Sequence, residues 1–341
     1  MSTSSRTNPS ASDLAGRQAR SQKPGKTALF GYPISLSLAP TFHNACYRQR
    51  HVPWTCELLE SQDFNDFLRF IREDDFIGSA VTMPYKSEVL KHVDEIDQEA
   101  ELIGAANTVY WRDHEDGKRS LVATNTDVAG IADAIISALP DSSRVEATTD
   151  RRIGLIVGGG GTTRTAVYTL RFRLKCDEIY IINRMDEEVG AVVQDFQAKG
   201  VEGVMQLKTP KDAAALGRTP DVIVNAIPSH DPQTEGEKLA RQTLEAVLSL
   251  PAHSSLSSAP VFLEMCYHPH PWTKISSIAE EQGWHVIQGM ECMYHQAVAQ
   301  QMLWLPPTTT ASESKELLKA GKEAVLQVLE SRGALTKPKC A

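Results

Sequence analysis

A run of five mostly apolar residues, Ile153–Val157, leads directly into four consecutive glycines, 158–161, and then into a segment of helical pattern, 162–174. Glycine permits a sharp turn and lets backbone N–H groups approach a ligand closely. A strand before such a loop and a helix after it are the context of a phosphate-binding turn, because the helix N-terminus favours an anion. This feature predicts a doubly wound, parallel α/β sheet in the second half of the chain.

The residues of this loop have different predicted roles in holding a dinucleotide pyrophosphate. Gly158 allows the sharp turn, Gly160 lets backbone N–H groups approach the ligand, and Gly161 allows the helix to start close to the sheet. Gly159 and Thr162 complete the predicted binding loop. The alternative is a purely structural turn, because glycine-rich loops also serve as plain connections.

The next predicted strand, 178–182, ends at Asn183-Arg184-Met185-Asp186, where the adenosine ribose of a dinucleotide is expected. Arg184 could hold a 2′-phosphate or stack on adenine, and Asp186 could accept hydrogen bonds from the free ribose hydroxyls of NAD. The alternative is a solvated helix start whose acidic residues complement the helix dipole. These residues leave the choice between NAD and NADP open.

The first half of the chain alternates strand-like and helix-like segments and predicts one α/β domain that ends near Leu139. Lys86 follows one predicted strand, and Asp127 follows another. Removing hydride from a secondary alcohol requires a group that takes the hydroxyl proton, and a lysine in a partly desolvated cleft can do so. The alternative is a surface lysine and a helix-capping aspartate.

Composition argues against several classes of protein. The formal charge of −8 and the pI near 5.7 argue against a nucleic-acid surface, since no basic stretch offsets them. No apolar run approaches the ~20 residues that span a bilayer. The six cysteines lack metal-type spacing, so we expect reduced thiols in a cytoplasmic protein with no metal site. We expect a monomer or homodimer without nucleic-acid or membrane partners.

The chain divides into four predicted segments. Residues 1–26 are polar and predict a flexible tail. Residues 27–140 form the first α/β domain, and residues 150–288 form the doubly wound domain. The helices predicted within 289–332 are expected to pack back on the first domain.

Five segments, taken in order, resemble the motifs of the shikimate dehydrogenase family, and in particular its quinate/shikimate dehydrogenases. The matching segments are residues 31–44, 81–86, 103–108, 125–127 and the glycine loop 158–164. The resemblance implies an N-terminal α/β substrate-binding domain and a Rossmann-type doubly wound NAD(P)-binding domain. It also implies C-terminal helices that return to the first domain.

The same resemblance implies reversible, NAD(P)-dependent oxidation of a ring hydroxyl of quinate or shikimate to the 3-dehydro ketone, with Lys86 and Asp127 as the proton-transfer pair. The residues implied for the substrate, a polyhydroxy cyclic acid, are Ser35, Ser37, Thr82, Asn107, Asp127, Tyr267 and Gln296. The residues implied for the cofactor are Gly158, Gly159, Gly160, Gly161, Thr162, Asn183, Arg184, Asp186, Ala226, Ile227 and Gly289. His43 is expected to fix the first loop rather than to carry protons.

Three positions depart from the family pattern. Ala39 stands where the family usually has a second serine or threonine on the substrate carboxylate, and Ala80 replaces a usual asparagine. Glu188 stands where NADP-preferring members often have a basic residue. We therefore expect dual use of NAD and NADP with a lean toward NAD, and a lean toward quinate. Two alternatives stay open: a non-catalytic paralogue that senses the ligand, and a reductase of another cyclic hydroxy acid.

Overall fold

The computed structural model describes residues 9–139, 151–251, 259–267, 271–307 and 312–334. The chain forms two compact units. Unit 1 comprises Met1–Thr126 and Ala297–Val328, and unit 2 comprises Asp127–Gln296 and Leu329–Ala341. No helix in the described ranges is long and apolar enough to cross a membrane.

Unit 1 contains a mixed six-stranded sheet in the order β2-β1-β3-β5-β6-β4. Its strands are β1 Gly25–Gly31, β2 Trp54–Glu60, β3 Phe76–Val81, β4 Glu95–Ile96, β5 Thr108–Asp113 and β6 Arg119–Thr124. Strand β1 pairs in parallel with β2 and β3, whereas β5 runs antiparallel to both β3 and β6. Strands β5 and β6 form a hairpin with Asp116-Gly117 in its turn.

Four helices and one short 3-10 turn belong to the N-terminal part of unit 1. They are α1 Ala11–Ser21, α2 Ala39–Gln49, α3 Phe64–Phe70, α4 Gln98–Ile103 and the 3-10 turn Val89–His92. Aromatic rings fill the core on the α3 side of the sheet, where Phe30 stacks on Phe67 at 4.9 Å and on Tyr85 at 4.5 Å between ring centroids. This stacking fixes the segment that carries Lys86.

The predicted flexible tail is wrong for Ala11–Ser21, which form helix α1. Ser10 caps the helix by accepting a hydrogen bond from the Asp13 N–H, and Arg17 pairs with Asp13 at 2.5 Å. Both charged side chains are buried, and Arg17 also donates to the carbonyl of Met302 at 3.0 Å. The buried face of this helix is polar, which is why a low apolar content misled the prediction.

Unit 2 contains an all-parallel sheet in the order β12-β11-β10-β7-β8-β9. Its strands are β7 Ile153–Val157, β8 Glu178–Ile182, β9 Val204–Gln206, β10 Val222–Asn225, β11 Val261–Glu264 and β12 His285–Gln288. Counted from β7, this is the 3-2-1-4-5-6 order of doubly wound sheets, with its switch point between β7 and β10. The predicted fold class is confirmed.

Within the described residues, one helix precedes β7, and five helices connect successive strands of this sheet. They are α5 Asp127–Ala138, α6 Gly161–Tyr168 with a following π turn Thr169–Arg173, α7 Asp186–Ala198, α8 Pro210–Ala215, α9 Glu235–Leu248 and α10 Lys274–Glu281. The central strands β7, β10 and β11 are buried along their whole length, as apolar runs in parallel strands predict.

Two helices close the described chain, α11 Gly289–Trp304 and α12 Glu313–Ser331. The end of α11 packs on the sheet of unit 1, where the Trp304 indole donates to the carbonyl of Val109 at 3.2 Å. The ring of Phe42 in α2 lies against Gly321 of α12, where a Cβ would come within 2.2 Å of it. These contacts hold the C-terminal helices on the N-terminal sheet within unit 1.

Candidate functional site

Polar side chains gather at one edge of the unit 1 sheet. The carboxyl ends of β1, β3 and β6 meet there with the amino end of β5, because β5 runs antiparallel to both of its neighbours. The predicted substrate-side residues that follow or precede these strand ends are Ser35, Ser37, Thr82, Lys86 and Asn107. The sheet therefore collects in one place side chains that are far apart in the sequence.

Asn107 is the most strongly fixed of these residues. Its carbonyl accepts from the Val81 N–H at 2.7 Å, and its N–H donates to the carbonyl of Thr124 at 3.1 Å. Its side-chain Oδ1 accepts from the N–H of Thr126 at 2.7 Å and from the hydroxyl of Thr108 at 2.8 Å. Because Oδ1 is held in this way, the amide plane is fixed and its NH₂ end points the opposite way.

Lys86 is tied to this network through its backbone. Its carbonyl accepts from the N–H of Ala106 at 2.7 Å, and the adjacent Tyr85 stacks on Phe30. The side chain of Asn125 donates to the carbonyl of Ala105 at 2.9 Å. Lys86 is half-buried, and its backbone carbonyl ties this turn to the start of the segment that leads into β5.

The loop after β1 carries the two predicted serines. Ser35 is exposed and Ser37 is half-buried, and the Ser37 hydroxyl accepts from the N–H of Ala39 at 3.3 Å. Ala39 is buried at the start of α2, and Ala80 is buried within β3. Both departures from the family pattern therefore lie at buried positions close to the predicted substrate side.

His43 is a structural residue of α2. It is fully buried, and its Nδ1 accepts from the side-chain amide of Gln301 at 2.5 Å. Burial lowers the pKa of His43 to about 3, so the ring is neutral at physiological pH. These observations agree with the expectation that His43 fixes the loop instead of carrying protons.

In unit 2, the glycine loop lies at the carboxyl end of β7. Gly158 has a φ of +140°, which L side chains rarely adopt, and its N–H donates to the carbonyl of Ile182 at 2.9 Å. A Cβ on Gly160 or Gly161 would meet no heavy atom of the described residues within 4 Å. The predicted role of Gly161 in close helix–sheet packing is therefore wrong, and both glycines instead present open backbone.

Helix α6 begins directly after this open backbone. Within the described structure no side chain caps it, and Gly160 occupies the cap position. The first N–H groups of a helix need a partner, and an anion such as a pyrophosphate satisfies them and the dipole together. The loop thus fits a dinucleotide pyrophosphate, with Gly158, Gly159, Gly160, Gly161 and Thr162 as the residues that would surround it.

Arg184 and Asp186, beyond the end of β8, are both engaged within the protein. Arg184 pairs with Glu237 at 2.6 Å. Asp186 accepts from Gln206 at 2.6 Å and from Lys208 at 2.7 Å, so each of its carboxylate oxygens already has a partner. Hydrogen bonds from Lys208 and Gln206 hold the pKa of the Asp186 carboxyl below its usual value.

The residues predicted to line the nicotinamide pocket follow the carboxyl ends of β10 and β12. Ala226 and Ile227 follow β10, and the N–H of Ala226 donates to the carbonyl of Val157 at 2.8 Å. Gly289 begins α11 directly after β12. The end of β10 lies at the switch point, where a doubly wound sheet places its ligand, whereas β12 is the edge strand.

A buried carboxyl group, Glu264, lies beside these residues at the end of β11. It accepts from the Thr273 hydroxyl at 2.6 Å, from the Cys266 N–H at 3.0 Å and from the Asn225 amide at 2.9 Å. Burial raises the pKa of Glu264 to about 7, although these three donors favour the ionised form. Its protonation state thus changes near physiological pH.

Gly289 is required by a close backbone approach. A Cβ there would lie 2.5 Å from the carbonyl oxygen of Met265 and 2.6 Å from that of Glu264, and neither backbone atom can rotate away. We expect Gly289→Ala to lower the free energy of unfolding by about 1–3 kcal/mol. Urea denaturation provides the measurement.

Gly190 is the matched control for that substitution. It lies inside α7, and a Cβ there would meet no described heavy atom within 4 Å. Gly190→Ala should therefore raise the free energy of unfolding by about 0.5–1 kcal/mol, because alanine favours the helix. Equal effects of the two substitutions would contradict the packing described for Gly289.

Asp127, Tyr267 and Gln296 all belong to unit 2, whereas Lys86 belongs to unit 1. Asp127 is the first residue of α5 and is nearly buried. Burial raises the pKa of Tyr267 above its usual value, and Cys292 and Asp127 add to this rise. Gln296 packs on α5, where its Cβ lies 2.9 Å from the position that a Cβ of Gly130 would take.

A metal centre receives no support from the described residues. Within these ranges no group of three or more His, Cys, Asp or Glu side chains could hold a metal ion. His268 and His270 lie outside the described residues.

Sequence reasoning did not identify two buried polar residues of the site regions, Gln300 and Glu264. Gln300 donates to the Thr108 hydroxyl at 2.9 Å, and Glu264 binds Asn225. The available signals were the paired glutamines near the end of helix α11 and the glutamate that ends an apolar strand. A buried polar side chain in such a segment needs a partner, which here orders the sheet edges.

Comparison with known proteins bears on both units. The shikimate dehydrogenase substrate binding domain matches residues 29–109. The quinate dehydrogenase of Emericella nidulans is 38% identical over 292 residues, which are 82% of this chain and 87% of that protein.

Two solved structures have the same fold. The dehydroquinate dehydratase and shikimate dehydrogenase from S. pombe AroM matches with a TM-score of 0.70 and 28% identity, over 91% of this chain and 55% of that one. The Mycobacterium tuberculosis shikimate dehydrogenase matches with a TM-score of 0.67 and 25% identity, over 89% of this chain and 100% of that one. Both matches extend over the two units.

Proposed function

We propose an activity for this chain on the basis of its family, because the chain belongs to the shikimate/quinate dehydrogenases. Its function is the reversible, NAD(P)-dependent oxidation of a ring hydroxyl of quinate or shikimate to the 3-dehydro ketone. The observation that carries this proposal is the 38% identity to a quinate dehydrogenase over most of both chains. The same observation favours quinate as the preferred substrate.

The chemistry separates into a hydride and a proton. Oxidation of a secondary alcohol breaks the C–H and O–H bonds at the reacting carbon and leaves a carbonyl group. When bound, a nicotinamide dinucleotide supplies the hydride acceptor. We assign removal of the hydroxyl proton to Lys86 as general base, and to Asp127 the orientation of this lysine and of the same hydroxyl. In the reverse direction the Lys86 ammonium returns the proton to the ketone oxygen.

The substrate side of the proposal is supported by the unit 1 sheet edge. The Asn107 side chain is fixed at this edge, because its Oδ1 accepts from Thr126 and Thr108, and we assign this residue to a ring hydroxyl. Thr82 is fixed at the same edge, because its N–H donates to the carbonyl of Phe30 at 2.8 Å. We assign Ser35, Ser37 and Tyr267 to the substrate carboxylate, because hydrogen bonds to a charged group contribute about 1.5–3 kcal/mol each.

The cofactor side is supported by the doubly wound sheet and its open glycine loop. Solved structures that share the fold carry NADP(H) in the Thermus thermophilus shikimate dehydrogenase and NAD in the Corynebacterium glutamicum quinate dehydrogenase. We propose that this chain uses a nicotinamide dinucleotide with a lean toward NAD. Within the described residues, Cys46, Cys56 and Cys176 are buried and form no disulfide, which favours a reducing, cytoplasmic location.

The experiment that tests the activity is a spectrophotometric assay of reduced cofactor. Quinate and shikimate are each paired with NAD and with NADP, and cyclohexanecarboxylate, which lacks ring hydroxyls, is the control. We expect reduction in at least one pairing and none with the control. Absence of reduction in all four pairings would contradict the proposed function.

A second candidate function is favoured by the buried Ala39 in the predicted carboxylate loop. The Ala39 N–H donates to the Ser37 hydroxyl, and the buried Ala39 side chain has no hydroxyl group. The chain would then reduce or oxidise a different cyclic hydroxy acid. A panel of such acids in the same assay separates this candidate from quinate and shikimate turnover.

A further inference from the structure

Gln300 of helix α11 is a fully buried glutamine that reaches Asn107 through one threonine. Its Nε2 donates to the Thr108 hydroxyl at 2.9 Å, and that hydroxyl donates to the Asn107 Oδ1 at 2.8 Å. All three residues belong to unit 1, although 192 positions of sequence separate Gln300 from Thr108. These two bonds connect the C-terminal helix to the edge of the sheet that carries the predicted substrate side.

The first of these bonds sets the direction of the second. A threonine hydroxyl has one proton to donate and two lone pairs that accept. Because the Gln300 amide donates to the Thr108 oxygen, the Thr108 proton is directed to the Asn107 Oδ1. Thr126 lies at the same point, since its hydroxyl is 3.0 Å from that of Thr108 and its N–H donates to the Asn107 Oδ1 at 2.7 Å. Gln300 thus orients one of the donors that hold the Asn107 amide.

The orientation of the Gln300 amide follows from His43. Burial lowers the pKa of His43 to about 3, so the ring is neutral, and its Nδ1 accepts from Gln301. A neutral imidazole has one proton, which is therefore on Nε2. The His43 Nε2 and the Gln300 Oε1 have no other partner among the described residues, and the two side chains interact. With its oxygen toward His43, Gln300 presents its NH₂ group to Thr108.

We propose that Gln300 is a positioning residue for substrate binding, and that it acts through the Thr108 hydroxyl on the Asn107 amide. This inference rests on the proposed function, in which Asn107 binds a ring hydroxyl of quinate or shikimate. A side chain that is held in its binding orientation before the substrate arrives does not have to be ordered during binding. Without Gln300 the Thr108 hydroxyl can rotate, and the Asn107 amide is held less firmly.

Gln300→Met tests this role, because it removes the amide and nearly keeps the length of the side chain. We expect the Kd of the preferred substrate, quinate or shikimate, to rise about five- to tenfold, as for the loss of one hydrogen bond between neutral groups. We expect kcat to change by less than about threefold, because Lys86 is unaltered. Isothermal titration calorimetry and steady-state kinetics measure the two quantities separately. Gln300→Asn keeps an amide that is too short to reach Thr108, and it should weaken binding in the same way.

The role of Thr108 as the mediator is tested by a double-mutant cycle. Thr108→Val removes the hydroxyl, keeps the shape and should raise Kd at least as much as Gln300→Met. Adding Gln300→Met to Thr108→Val should then change Kd by less than about twofold, because both substitutions interrupt the same connection. Thr108→Ser keeps the hydroxyl and should bind the substrate as tightly as the wild-type chain.

Thr27→Val is the matched control for these substitutions. Thr27 is also fully buried in a strand of unit 1, and its hydroxyl lies 2.7 Å from that of Tyr47 instead of in the bonds to Asn107. The control should lower the free energy of unfolding, since it leaves a buried hydroxyl with one partner fewer, and should leave Kd unchanged.

Three results would overturn the inference. In the first, Gln300→Met and Gln300→Asn bind the substrate as tightly as the wild-type chain. In the second, Gln300→Met has the same effect on Kd whether residue 108 is threonine or valine. In the third, Thr27→Val weakens binding as much as Gln300→Met, so that the effect is one of general stability. A wild-type chain that binds neither quinate nor shikimate would instead contradict the proposed function, and the two kinds of failure are thereby distinguished.

Discussion

Lys86→Ala should lower kcat by a factor of about 10²–10⁴, the range that a positioned general base contributes. The alanine variant removes the proton acceptor, which matters most in the transition state, and leaves the other groups that hold the substrate. The fold should be unaffected, because the Lys86 carbonyl and not its side chain anchors the turn to Ala106. Steady-state kinetics with quinate or shikimate, together with calorimetric binding of the same substrate, give kcat and Kd separately.

Lys91→Ala is the matched control for that experiment. Lys91 lies five residues further along, in the 3-10 turn, and its exposed side chain pairs with Glu88 at 2.7 Å. An exposed ion pair of this kind contributes little, so the control should keep wild-type kcat and stability. Retained activity in Lys86→Ala, or a loss of binding as large as the loss of turnover, would show that Lys86 is not the general base.

The contribution of Glu264 to the free energy of unfolding should fall as the pH rises from about 4.5 to about 7. Its carboxyl group binds a proton more tightly in the folded chain than in the unfolded chain, because the folded chain buries it. Folding is then coupled to proton uptake between these two pH values, and the resulting stabilisation is complete below the lower value. It decreases as the pH approaches the folded pKa, by a total on the order of 3 kcal/mol.

Glu264→Gln removes this titration and keeps the size of the side chain. The free energy of unfolding of the variant minus that of the wild-type chain should therefore increase by up to about 3 kcal/mol from pH 5 to pH 8. Urea denaturation at a series of pH values measures this difference. Glu323→Gln, at an exposed glutamate of α12, should give a difference that does not vary with pH. The same flat result for Glu264→Gln would show that Glu264 does not titrate in this range.

The order of strands and helices in unit 2 could be predicted because local patterns determine it. The apolar strand Ile153–Val157 and the glycine loop fix the first βα unit, and parallel strands require helical crossovers between them. The hairpin of unit 1 was equally local, with Gly117 at a φ of +78° in its turn. The order β2-β1-β3-β5-β6-β4 was not predictable, since it depends on contacts between residues distant in the sequence.

Helix α1 was not predicted, because its buried face consists of Asp13, Arg17 and Ser21. A search for apolar periodicity cannot detect a helix whose inward side chains pair with each other and with a backbone carbonyl. The long-range bond from Arg17 to Met302 provides the partner, and nothing in the local sequence indicates it.

The candidate site shows the same division between local and distant information. Motif spacing identified the glycine loop and the strand ends that carry Lys86 and Asn107. It could not show that Asp186, after β8, is bound by Gln206 and Lys208 of a later segment. The orientation of a side chain depends on partners that only the folded chain brings near.

The measurement that tests the central claim most directly is the fate of the hydrogen on the reacting carbon. Quinate and shikimate deuterated at carbon 3 are incubated with the purified protein and each nicotinamide cofactor, and the reduced cofactor is analysed by mass spectrometry. Direct hydride transfer predicts one deuterium in the reduced cofactor and a 3-dehydro ketone in equal amount. Reduced cofactor without deuterium, or no reduced cofactor at all, would contradict the assignment of this chain as a quinate/shikimate dehydrogenase.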